Sequence, residues 1–87
     1  PPLLTGWAWQ SLPELPRILQ EHATVAFGGE IVLLGGFENL VLVDAVVHYD
    51  PVGRVFRQGV PLPRALHHVN AAVVDGKLMV LGALEGF

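Results

Sequence analysis

The sequence has no cysteine and few charged residues, and both absences narrow the classes of protein to which it can belong. Without cysteine there can be no disulfide, no Cys-type zinc site and no thiol catalysis. Only 15% of the residues are charged, and the five basic residues are spread singly through a chain of net charge −3. Because nucleic-acid binding requires a basic patch, we expect no nucleic-acid partner.

Long uninterrupted apolar runs are also missing. The longest apolar stretch, residues 31–47, is broken by Gly35, Gly36, Glu38 and Asp44. A membrane-spanning helix needs about 20 mostly apolar residues, so the sequence predicts no membrane span. No basic segment with a following apolar segment and cleavage pattern opens the sequence, so no signal peptide is visible. This favours the cytoplasm but leaves the localisation unknown.

Apolar residues, by contrast, are abundant. They make up 52% of a chain of 87 residues. A chain this short has too much surface for its volume to hide them all. We therefore expect part of the apolar surface to be covered by more of the same chain or by other subunits.

An internal repeat organises the sequence. Residues 22–36 return 47 residues later as residues 69–83. Each copy has two short apolar runs joined by a turn pair, which is Gly28-Gly29 in the first copy and Asp75-Gly76 in the second. Such pairs tolerate the positive φ of a tight hairpin, so each should join two antiparallel strands. The second apolar runs are continuous, which predicts burial on both faces.

The repeat resembles the kelch motif of β-propellers in its period, its double glycine at Gly35-Gly36 and its Tyr49-Asp50-Pro51 element. The resemblance implies an all-β fold, a kelch-like β-propeller portion built from four-stranded antiparallel blades. It also implies that aromatic residues at the tryptophan position of the motif are buried between neighbouring sheets. The residues that match across the offset are Arg17 with Arg64, Trp9 with Phe56, Gly29 with Gly76 and Gly35 with Gly82.

On this pattern, residues 1–21 are the last strand of a preceding blade, at 7–11, plus a connection. Residues 22–58 are one complete blade, with a long third strand predicted at residues 41–49 and a fourth at 54–58. Residues 59–87 are a connection and the first two strands of a following blade. Open blade edges invite association. We therefore expect further propeller blades in the same chain, or a homo-oligomer, as partners.

The sequence holds little that could carry catalysis. The four histidines match no tight ligand spacing, so we predict no metal site and no cofactor. Some kelch-type propellers are copper radical oxidases, but that site needs a cysteine-modified tyrosine and a second tyrosine, and this chain has only Tyr49. Ser11 lacks the context of a nucleophile elbow. Whether the chain is part of an enzyme stays uncertain, with a non-enzymatic role favoured and no catalytic residue predicted.

Polar residues cluster just before each first strand. In kelch propellers that segment lies at the mouth of the central channel, where polar residues commonly contact partners. The function predicted is an interaction module that binds a protein or peptide partner through these rim loops. The alternative is part of a propeller enzyme acting on a small molecule in the channel. The predicted contact residues are Arg17, His22, Arg64, His68 and Asn70. An arginine fork suits a carboxylate, although Arg17 and Arg64 could equally serve only to satisfy carbonyls between blades.

Overall fold

The computed structural model of the protein describes Trp9 and residues 11–86. Every regular element in this part of the chain is a β-strand, and the sheets are antiparallel. An all-β fold is therefore confirmed. No helix in the described ranges is long and apolar enough to span a bilayer. The strands are β1 (Ala23–Phe27), β2 (Glu30–Leu34), β3 (Phe37–Glu38), β4 (Val41–Leu42), β5 (Val46–Asp50), β6 (Val55–Gln58), β7 (His67–Val74) and β8 (Lys77–Leu84).

The first sheet has four strands in the order β1-β2-β5-β6. Strands β1 and β2 pair from Ala23 opposite Leu34 to Phe27 opposite Glu30, so the hairpin predicted at Gly28-Gly29 is confirmed. This sheet lies within the predicted blade at residues 22–58. The assignment of residues 1–21 and 59–87 to neighbouring blades stays a prediction.

The second hairpin, β7-β8, turns at Asp75-Gly76, as predicted. Both turn residues have positive φ, 51° at Asp75 and 70° at Gly76. The hairpin packs against the first sheet through a shared apolar cluster. The fully or nearly buried members of this cluster are Ala23, Val32, Leu34, Val46, Leu62 and Val69.

The prediction of one long third strand at residues 41–49 is wrong. The structure has a small β3-β4 hairpin, then residues outside any strand, and β5 only from Val46. Asn39 and Leu40 both have positive φ, at 50° and 64°, and turn the chain. Backbone bonds then hold the following stretch out of the ladder, since Val43 N donates to Gly36 O at 2.9 Å.

The second apolar run of each copy of the repeat, β2 in the first copy and β8 in the second, differs in burial. In β2, Val32, Leu33 and Leu34 are all buried, because one face packs on the β7-β8 hairpin and the other on Leu19 and Val47. In β8, residues 79–81 are exposed, so burial on both faces is wrong for this second run. Among the described strands, it is β7 that packs against β1 of the first sheet, so most of β8 has no sheet against its faces.

The burial predicted for Trp9 is also wrong. Its side chain is fully exposed, and Trp9 and Ser11 belong to no strand. The rest of the predicted strand at residues 7–11 lies outside the described residues. No strand in the described part of the chain pairs with this segment. Its counterpart Phe56 is half-buried and packs on Tyr49, with ring centroids 4.7 Å apart.

Candidate functional site

The approach segments of β1 (residues 17–22) and β7 (residues 64–68) meet each other in the structure. His68 N donates to Glu21 O at 3.1 Å, which joins the two segments directly. A two-way backbone bridge between Gln20 and Phe37, at 2.9 and 2.7 Å, fixes the first segment against β3. Gly36 N donates to Leu66 O at 2.7 Å and fixes the second.

The double glycine makes this close crossing possible. Gly35 has φ +68° and Gly36 φ +95°, which side chains rarely adopt. A Cβ on Gly35 would lie 2.6 Å from Leu66 O, and one on Gly36 would collide with Gln20 O and the His22 backbone. Each glycine therefore accommodates one approach segment at a distance that a residue with a Cβ would not allow.

A β-bulge at the start of β7 brings two adjacent histidines together. Neighbouring residues in a regular strand point to opposite faces. Here the register shifts between His67 and Asn70, and His68 takes φ 51°. Bulges commonly re-aim a side chain in this way. The two imidazole rings consequently lie 4.8 Å apart between centroids, and their Nδ1 atoms are separated by 2.7 Å.

Glu21 completes a three-residue cluster with this histidine pair. Its Oε1 lies 3.1 Å from His67 Nδ1 and 3.0 Å from His68 Nδ1. The two partly exposed members, Glu21 and His68, have side chains 45% and 58% exposed, whereas His67 is 8% exposed. The ring of Phe37 packs on His67 with centroids 4.8 Å apart. Three atoms able to offer lone pairs thus converge beside one another.

A hydrogen bond fixes which nitrogen of His67 carries a hydrogen. Its Nε2 lies 2.5 Å from Gly86 O. A carbonyl oxygen can only accept, so Nε2 donates, and in a neutral ring Nδ1 is then the lone-pair nitrogen. His67 Nδ1 and Glu21 Oε1 are then both acceptors, and they repel unless a hydrogen or a cation lies between them.

An open pocket of about 540 Å³ lies over this cluster. Phe37 and Leu40 supply an apolar wall, and Leu40 is 80% exposed. Glu21, His67 and His68 supply polar groups. Binding sites commonly combine apolar walls with a few converging polar groups.

Several known proteins have sequences similar to this one. No model of a known protein family matches the chain. It is, however, 38% identical over 89 residues to Kelch-like protein terF of Aspergillus terreus, which covers 88% of this chain and 19% of that protein. It is 32% identical over 78 residues to Kelch-like protein 33 of Homo sapiens, covering 90% of this chain and 15% of that one. It is 34% identical over 91 residues to Kelch repeat and BTB domain-containing protein 12 of Danio rerio, a match that covers 90% of this chain and 15% of that protein.

This chain belongs to the kelch-repeat proteins. Its antiparallel, all-strand structure is that of β-propeller blades, and the predicted kelch resemblance is confirmed. The kelch chain spans about a fifth or less of the length of these relatives, 19% of the first and 15% of the other two.

The five contact residues predicted from the kelch pattern take different positions. His68 lines the pocket. Asn70 is exposed on β7, opposite Gly82. The backbone of His22 packs beside Gly36, and its Nδ1 is buried with no hydrogen-bond partner among the described residues.

The two predicted arginines both bind carboxylates in the described part of the kelch chain. Arg64 Nη1 lies 2.9 Å from Glu85 Oε2, with both side chains mostly exposed. Arg17 binds Glu38 through two hydrogen bonds, from Nε at 3.0 Å and from Nη2 at 2.6 Å.

A second ionic group lies on the four-stranded sheet. Glu30 accepts two hydrogen bonds from Arg57, one of them at 2.9 Å, and lies 3.2 Å from His48 Nδ1. Hydrogen bonding from Arg57 lowers the pKa of Glu30 below its ordinary value, and Glu30 in turn raises the pKa of Arg57.

Glu21 and His67 are absent from the five predicted contacts, although they form the cluster with His68. One feature of the kelch repeat could have identified Glu21. It stands 47 residues before His68, so the two occupy the same position in successive repeats. Equivalent positions before two neighbouring innermost strands converge when those strands pack side by side.

Proposed function

We propose that this chain is a kelch-type interaction module that binds a protein or peptide partner where the approach segments of β1 and β7 meet. The observation that carries the proposal is the open pocket at this junction, with Phe37 and Leu40 as its apolar wall. Leu40 is 80% exposed, so a partner side chain can reach it directly.

The polar side chains beside the pocket determine which kind of partner it can bind. His68 and Glu21 are polar side chains that are 58% and 45% exposed. Arg64 lies on the same approach segment as His68, with its side chain 70% exposed. A segment with one apolar side chain for the pocket and a carboxylate for Arg64 matches this arrangement. In binding, that carboxylate displaces Glu85 from Arg64.

Of the remaining predicted contacts, Asn70 is exposed, whereas Arg17 and His22 are half-buried. Asn70 extends the surface along β7. Arg17 and His22 support it from the first approach segment, because both side chains are half-buried and Arg17 is held by two hydrogen bonds to Glu38. We therefore expect His68, Arg64 and Asn70 to contribute more to affinity than Arg17 and His22.

The test is a selection of peptides from a random display library on the immobilised chain, followed by titration of the best binders. His68→Ala and Arg64→Ala should each weaken binding about tenfold, the effect of losing about 1.4 kcal/mol. Their melting temperatures should stay close to that of the wild type, because both side chains are mostly exposed.

Arg54→Ala is the matched control. Arg54 is exposed in the β5-β6 turn, at the opposite end of the first sheet from the approach segments. Peptides that bind all three variants as tightly as the wild type would place the interaction surface elsewhere and overturn the proposal.

A further inference from the structure

We propose that Glu21, His67 and His68 form a binding site for a divalent transition-metal ion of the zinc type. Their three ligand atoms are His67 Nδ1, His68 Nδ1 and Glu21 Oε1, separated by 2.7, 3.0 and 3.1 Å. Among the described residues, this is the group of histidine and carboxylate side chains that could hold an ion. The site shares Glu21 and His68 with the proposed partner surface, but ion binding requires no partner.

The distances suit an ion at the centre of the cluster. With bonds of about 2.0–2.2 Å, tetrahedral geometry separates ligand atoms by about 3.3 Å. The observed separations of 2.7, 3.0 and 3.1 Å are shorter than this by about 0.2 to 0.6 Å, as expected when a hydrogen rather than an ion lies between the atoms. Small rotations of the two partly exposed side chains, Glu21 and His68, would open the triangle.

The surroundings of His67 match those of a metal ligand. Ligating histidines commonly donate their second ring N–H to a carbonyl or carboxylate, which fixes the tautomer and the ring orientation. His67 does this with Gly86 O. Its ring is also held by burial and by Phe37. The most buried member of the cluster therefore already presents its Nδ1 lone pair to the other two.

The ligand types select the class of ion. Two imidazole nitrogens and one carboxylate favour zinc, cobalt, nickel or copper over magnesium or calcium, which prefer oxygen ligands. Three protein ligands leave at least one coordination position, and the pocket adjoins the cluster. Water or a side chain of a bound partner could occupy that position.

The bulge explains why this site escapes a search for ligand spacing in the sequence. Adjacent histidines in a regular strand cannot bind one ion, because they point to opposite faces. The positive φ of His68 removes that obstacle. Glu21 comes from 46 residues away.

The test is a calorimetric titration of the chelator-treated full chain with zinc chloride. We expect one ion per chain. His68→Ala and Glu21→Gln should each weaken zinc binding by at least the roughly 10–100-fold typical of losing an outer-shell partner. Both residues are partly exposed, so these variants should remain folded. Magnesium chloride should give no saturable binding.

His48→Gln is the matched control, because it removes one imidazole from the separate group around Glu30. It should leave zinc affinity unchanged. A second measurement follows the imidazole ¹⁵N resonances, in which zinc should shift Nδ1 of His67 and His68 and leave His48 unmoved. Equal weakening by His48→Gln, or zinc shifts spread over all four histidines, would mean scattered surface binding and would overturn the proposal. Absence of saturable zinc binding would overturn it too.

Discussion

Arg17 holds Glu38 with both arms of its guanidinium group, through Nε to Oε2 at 3.0 Å and through Nη2 to Oε1 at 2.6 Å. Two side chains that are 26% and 29% exposed thus tie the approach segment of β1 to the small β3-β4 hairpin. Hydrogen bonding from Arg17 keeps the pKa of Glu38 below its ordinary value. This ion pair consequently makes the stability of the region depend on pH.

The first prediction concerns acid sensitivity. A carboxyl whose pKa is lower in the folded than in the unfolded state stabilises the fold above its ordinary pKa, about 4.3 for glutamate. That contribution is lost as the pH falls through the folded-state pKa. In Arg17→Met, Glu38 regains its ordinary pKa, so the urea midpoint should fall less between pH 6 and pH 3 than it does in the wild type.

Arg54→Met serves as the control for this measurement, because Arg54 has no ion pair among the described residues. Its midpoint should fall with pH as in the wild type. Glu30 keeps its own partner Arg57 in both variants, so some acid sensitivity should remain. Identical pH profiles for Arg17→Met and the wild type would contradict the prediction.

The second prediction compares two glycines of positive φ. Gly36→Ala places a Cβ against Gln20 O and the His22 backbone, whereas Gly28→Ala places one in open space. Both variants suffer the backbone strain of about 1–3 kcal/mol for a side chain in this region. Gly36→Ala should therefore cost at least about 2 kcal/mol more in the free energy of unfolding, measured by urea denaturation. Equal losses would show that the approach segment yields without cost.

The third prediction concerns the aromatic pair of the repeat. A fully buried phenylalanine loses about 3–5 kcal/mol on truncation to alanine. Phe56 is only half-buried against Tyr49, so Phe56→Ala should cost about 2 kcal/mol. Trp9→Ala should cost less than about 0.5 kcal/mol, because the indole is fully exposed. Thermal denaturation of both variants checks the contrast, and a larger loss at Trp9 would show that the indole is covered in solution.

The features that could be predicted correctly from the sequence are those that depend on local backbone conformation. The turn pairs Gly28-Gly29 and Asp75-Gly76 identify their hairpins because few residues tolerate positive φ. The double glycine Gly35-Gly36 likewise marks a place where another segment must approach. Such features require only the residues themselves.

What the sequence could not predict depends on distant partners. The exposure of Trp9 follows from the lack of a described strand beside it, which no local pattern reports. The cluster of Glu21, His67 and His68 needs a bulge and a positive φ at His68, a residue with no strong preference for that conformation. Similarly, the predicted long strand at residues 41–49 is interrupted because Val43 N bonds to Gly36 O outside the ladder, a contact that no local pattern reports.

The last prediction concerns association through β8. Leu81 and Leu84 are 63% and 54% exposed on a strand that pairs only with β7 among the described strands. Exposed apolar edge strands promote association, and burying a leucine contributes about 1.5–3 kcal/mol. We therefore expect light scattering on the isolated 87-residue chain to detect self-association. Leu81→Lys should weaken it about tenfold or more, and Val60→Lys, at a position 86% exposed, should not. A cooperatively folding monomer of 9.4 kDa at all concentrations would contradict this, since the apolar face of β8 would then be stable in water without a cover.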